Sequence, residues 1–101
     1  MKQFIFGAVL YSISFVANAN CDQLALAAAV SAQDNYEFNY QTNYGEVRFY
    51  ENQKEQAIYL DLFGKCAQFD PAIATVKVQF SDLKNSCSNP VVSSFSCRYL
   101  P

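Results

Sequence analysis

Four cysteines, Cys21, Cys66, Cys87 and Cys97, set the strongest limit on what this chain can fold into. Their spacings of 45, 21 and 10 residues contain no Cys-x-x-Cys pair, and the sequence has no histidine. A zinc knuckle and a redox-active dithiol motif are therefore both missing, and structural disulfides are the reading that remains. The start of the chain agrees with export. Lys2 gives a positive beginning, residues 4–16 are mostly apolar, and Ala17-Asn18-Ala19 is a small-x-small cleavage site. The apolar run is shorter than the roughly 20 residues that span a bilayer. We read residues 1–19 as a signal peptide and residues 20–101 as one small mature domain, periplasmic or secreted, with no stable membrane insertion after cleavage. An even number of cysteines in a short exported chain implies two disulfides, for which three connectivities exist.

Hydrophobic periodicity supplies the elements. Residues 57–63 read as a central strand, because Ile58, Leu60 and Leu62 alternate with Tyr59, Asp61 and Phe63. Residues 22–33 are rich in alanine and leucine and read as a helix, capped by Asp22 or Asn20, with Leu24, Ala27, Ala28 and Ser31 on one stripe. Such a short helix is marginal alone in water and must dock on something. Period-two stretches follow around residues 36–41, 46–50, 74–81 and 91–99, separated by turns at residues 42–45, 51–55, 64–71 and 82–90. The fold class expected is α+β: one N-terminal helix packed on a four- or five-stranded antiparallel meander with two disulfides. A small all-β barrel is the alternative.

Register can be carried further, because residues on the same face stand opposite one another in an antiparallel ladder. Phe49 against Leu60 also sets Tyr50 against Tyr59 and Arg48 against Asp61. Leu60 against Val78 brings Lys77 beside Asp61, and a first hairpin pairing Tyr40 with Val47 brings Asn39 beside Arg48. In the last strand Val91, Ser93, Phe95, Cys97 and Tyr99 share a face. In such a meander Cys66 and Cys97 fall at one sheet end and Cys87 at the other, while a helix antiparallel to the first strand puts Cys21 near Cys66. This favours Cys21/Cys66 with Cys87/Cys97; Cys66/Cys97 with Cys21/Cys87 is the rival.

Function is bounded mainly by exclusion. Without histidine no Ser-His or Cys-His nucleophile can be assembled. No glycine-rich phosphate loop exists, no cofactor is implied, and most of the carboxylates fall beside turns or on the solvated face. Removing Lys2 leaves six basic residues against nine acidic ones, a balance unsuited to nucleic acid or an anionic membrane surface. The expectation is a non-catalytic module that binds another exported protein, for instance an inhibitor or an immunity-type protein. Its contact residues would be Tyr44, Tyr50, Tyr59 and Phe63, flanked by Arg48 and Asp61, a composition typical of protein interfaces. A self-associating structural or envelope-assembly component is the alternative, and a small secreted hydrolase or toxin ranks below both.

Overall fold

The structure, a computed structural model, describes residues 17–101, with side chains from residue 21 onward. The signal peptide expected over residues 1–19 lies outside the described residues apart from its last three. The α+β architecture is present: one helix, α1 (Ala17–Ala32), packs on an open five-stranded antiparallel sheet with two disulfides. The strands are β1 (Phe38–Tyr40), β2 (Arg48–Asn52), β3 (Ala57–Cys66), β4 (Phe69–Gln79) and β5 (Val91–Tyr99). Among the described residues no helix is long and apolar enough to cross a membrane.

The core lies between α1 and the inner sheet face. Ile58, Leu60 and Leu62 of β3 stand opposite Val78, Val76 and Ala74 of β4, and all six are fully buried. Each large aliphatic side chain removed from water contributes about 1.5–3 kcal/mol, so this double row dominates cohesion. The helix approaches through Cys21, Ala25 and Ala29, whose small side chains let its axis come close to the sheet. The expected stripe is thus rotated, and Leu24 is 41% exposed. Because apolar residues occur all round α1, periodicity does not fix its rotation; close approach and the Cys21 bridge do. The helix also begins earlier than expected, and its last turn tightens into a 3-10 segment, Gln33–Tyr36, ended by Glu37 in left-handed conformation (φ 56°).

The path of the first strand differs from a strict meander. β1 pairs with β3, not with β2: Phe38 faces Cys66 and Tyr40 faces Gly64. β2 pairs with the other half of β3, with Arg48, Phe49 and Tyr50 facing Asp61, Leu60 and Tyr59 as expected. Both strands run antiparallel to β3, so together they form one broken edge strand from which residues 42–47 loop out. Asn39 consequently stands beside Lys65 instead of Arg48.

Two further registers move. Residues 64–71 are not a long loop, because β3 and β4 extend until Cys66 faces Phe69 around a two-residue turn. This sets Leu60 opposite Val76, Tyr59 opposite Lys77 and Asp61 opposite Thr75. In β5 a bulge between the Lys77–Ser94 and Val78–Val92 pairs reverses the alternation. Val92 then packs on the core, while Val91 turns outward and is 59% exposed.

The reversed direction of β1 also corrects the disulfides. With Phe38 opposite Cys66, β1 starts at the Cys66 end of the sheet, so the helix must finish there and begin at the Cys87 end. The bonds are accordingly Cys21–Cys87 and Cys66–Cys97, the rival pairing. Cys66–Cys97 joins β3 to β5 across β4, where the buried Ala72 and Ala74 leave room above the strand. Cys21–Cys87 ties α1 to the β4–β5 loop, and both of its cysteines are buried. Two disulfides fit an oxidising compartment.

Candidate functional site

The outer sheet face carries most of the residues expected to meet a partner, because their parity is set by β2 and β3. Tyr59, Asp61 and Phe63 project from β3 on the side away from α1, and Arg48 and Tyr50 join them from β2. Among the described residues, α1 and the main core lie on the other face.

At one end Tyr50 and Tyr59 form a cross-strand pair. Tyr50 is 50% exposed, its ring open to solvent beside Tyr59. Tyr59 is held by its neighbours: its hydroxyl donates to Glu55 Oε1 at 2.6 Å, and Lys77 Nζ stands 5.8 Å from its ring centroid. Lys77 Nζ is also 3.5 Å from Glu55 Oε1. The Tyr59 hydroxyl, then Lys77, stabilise the ionised Glu55 and hold its carboxyl below its ordinary value. The same hydrogen bond, with some burial and the Glu55 charge, raises the Tyr59 phenol. Neither shift makes a nucleophile or a general base; the hydrogen bond to Glu55 and the Lys77 ammonium hold the ring in place.

A polar line crosses the middle of the face. Arg98 Nη1 donates to Thr75 Oγ1 at 2.9 Å, and Thr75 Oγ1 donates to Asp61 Oδ1 at 3.0 Å. Arg48 stands opposite Asp61 in the ladder, but its guanidinium lies over the Phe63 ring, 5.5 Å from the centroid. Cations therefore flank the acid on both sides, with a hydroxyl between Asp61 and Arg98.

Phe63 shares the face without being available on it. It is only 6% exposed, because the loop of residues 42–47 passes over it: a Cβ on Gly45 would lie 3.0 Å from Phe63 Cδ2. With Ile73 opposite, Phe63 forms a small buried cluster under that loop. Tyr44 is drawn to the same end by a hydrogen bond from its hydroxyl to Asp70 Oδ1 at 3.1 Å. That bond, then burial and the Asp70 charge, raise its phenol. The six expected contact residues thus divide. Tyr50, Tyr59, Arg48 and Asp61 stand together, Tyr44 sits at the far end, and Phe63 supports from below.

Sequence reasoning left out Thr75, Arg98 and Glu55 and placed Lys77 one pairing away. The signal for Thr75 and Arg98 was present, since strand alternation assigns both to the outer face. What hid them was the β3–β4 turn, where Ala67 and Gln68 carry none of the glycine or asparagine that marks a tight hairpin. No family model, curated protein or solved structure matches this chain.

Proposed function

We propose that this protein is an exported, non-catalytic module that binds another exported protein through the outer face of its sheet, as an inhibitor or immunity-type protein would. The observation that carries this reading is the Tyr50–Tyr59 pair, one ring half exposed and the other pinned by Glu55 and Lys77. A rigid aromatic anchor loses little entropy on binding, and tyrosine and arginine are the residues in which interface energy concentrates. Arg48, Asp61 and Arg98 add a pattern of alternating sign that a partner must match, which contributes specificity and association rate more than affinity. The absence of histidine and the exposure of most carboxylates, with Asp22, Asp61 and Asp82 the half-buried ones, support a non-catalytic role.

The test is capture from the producing cells and their culture fluid with the oxidised chain and its Tyr50→Ala/Tyr59→Ala variant side by side. A stoichiometric protein retained by the parent and bound at least about tenfold more weakly by the variant supports the reading, since hot-spot truncations cost about 1 kcal/mol or more each. Equal retention by both removes the outer face from the interface. Recovery of the chain only with itself would favour the self-associating alternative.

A further inference from the structure

The two edges of the sheet are built differently. On one side the edge is broken into β1 and β2, three and five residues long, and the Tyr40 N–H is capped by Gln33 Oε1 at 2.8 Å. On the other side β5 runs for nine residues, and among the described residues no strand lies beyond it. Natural sheets guard such edges with lysine, proline or short strands. β5 contains no lysine, acid or proline, and Arg98 is its only charge.

Which β5 groups face outward follows from the ladder. The Leu100 N–H donates to the Pro71 carbonyl at 3.1 Å, in the register that pairs Ala72 with Tyr99. Bonding pairs alternate in an antiparallel ladder, so Arg98, Ser96 and Ser94 direct their backbone groups to β4. Phe95, Cys97 and Tyr99 direct theirs to the open edge. Gln41 N–H to Phe63 O at 2.9 Å and Phe80 N–H to Gln56 O at 2.8 Å obey the same alternation across the sheet.

We propose that this edge docks a second copy of the chain through antiparallel β5–β5 pairing about a two-fold axis at Cys97. That register brings Phe95 opposite Tyr99 of the second copy, Cys97 opposite its equivalent and Tyr99 opposite Phe95. Phe95, Cys97 and Tyr99 then all meet outward residues, and each of these pairs exchanges two N–H···O=C bonds. Centring on Ser96 or Arg98 pairs only two of the three. Phe95 and Tyr99 stand opposite each other twice by symmetry; Tyr36 at 4.6 Å and Phe38 at 5.7 Å hold the Phe95 ring over its own sheet, so the exposed Tyr99 ring supplies the side-chain contact at the seam. On the outer face Arg98 falls opposite Ser96, so no like charges meet. Self-complementarity is what favours a second copy over a foreign strand. The axis is normal to the sheet, so the two sheets become one and both tyrosine pairs face the same side.

Sedimentation of the oxidised chain across a concentration series reaching about 1 mM tests this; strand pairing alone buries less than a standard interface, so a weak dimer is expected. Ser96 is exposed, and its variants read the register directly. Ser96→Lys sets a cation opposite Arg98 and should weaken the dimer on the order of fivefold, whereas Ser96→Asp should tighten it by a similar factor. Tyr99→Pro removes an outward N–H, leaves the β4 ladder intact and should abolish dimerisation. Near-UV circular dichroism checks that each variant stays folded, and the two Ser96 variants suffice if the proline variant does not. A monomer at every concentration, or a dimer that responds equally to Ser96→Lys and Ser96→Asp, overturns the proposal. So does a dimer lost in Tyr50→Ala/Tyr59→Ala but kept in Ser96→Lys, which would belong to the outer face.

Discussion

Gly64 shows how one absent methyl group routes the chain. A Cβ there would overlap the Asn39 carbonyl and come within 3.0 Å of the Tyr40 Cα, both backbone atoms that cannot swing aside. Only glycine lets β1 close on β3 at this point. Gly64→Ala should destabilise the fold by about 1–3 kcal/mol, the usual cost of overpacking; an unchanged urea midpoint would show that β1 adjusts freely. At Glu55 the controlling interaction is electrostatic. Its folded carboxyl titrates below the ordinary value, first because of the Tyr59 hydroxyl and then because of Lys77. A depressed acid contributes stability that is present above its unfolded pKa and lost as pH falls through the folded one. Tyr59→Phe should therefore move the Glu55 titration upward in an NMR pH series and narrow the acid range over which that contribution disappears. A Glu55 titration that stays in place would assign the shift to Lys77 alone.

Between elements, the contacts that matter most are those holding loops to strands. Gln56 closes the β2–β3 connection in left-handed conformation (φ 58°), and its side chain reaches the β4–β5 loop, where Oε1 accepts the Leu83 N–H at 2.8 Å. Its own carbonyl accepts the Phe80 N–H at 2.8 Å. Leu83 is buried, so its amide has no easy route to water. Gln56→Ala should cost about 1–3 kcal/mol, the penalty for a buried donor left unmet. Hydrogen exchange at Leu83 should accelerate while the amides of Leu60 and Leu62 stay protected; uniform acceleration would mean that the loop and sheet open together. The helix depends on such ties as well, since its sheet-facing side is mostly alanine and buries little area per turn.

For the whole molecule the two disulfides are not equivalent. Cys21–Cys87 spans 66 residues and Cys66–Cys97 spans 31, and in the chain-entropy model each contributes about 4 kcal/mol, slightly more for the longer loop. That rivals the typical net stability of about 5–15 kcal/mol for a small domain. Their mechanical roles differ more than their entropies. Cys66–Cys97 reinforces strands already hydrogen-bonded through β4, whereas Cys21–Cys87 fastens a helix that is marginal when undocked. Replacing Cys21 and Cys87 with alanine should lower the thermal midpoint more than replacing Cys66 and Cys97, and should selectively reduce the helical dichroism signal. The reverse order would show that the β3–β5 bridge carries the fold.

What the sequence by itself determined is what local chemistry can specify. Strand alternation assigned Ile58, Leu60, Leu62, Val76 and Val78 to the core and Tyr50, Tyr59 and Asp61 to the opposite face. The β2–β3 pairing of Tyr50 with Tyr59 was legible because the polar connection between those strands is short. Cysteine count specified two bridges but not their partners. The tertiary structure alone decided the rest: the direct pairing of β1 with β3, the tight turn at Ala67 and Gln68, the β5 bulge and the rotation of α1. Each depends on where a distant backbone lies, and period-two patterns fit registers that differ by two residues equally well. A pairing shift of that size keeps every side chain on its face while exchanging its neighbours. This is why the candidate face was legible before its network was, and why the disulfide partners followed only once the direction of β1 was known.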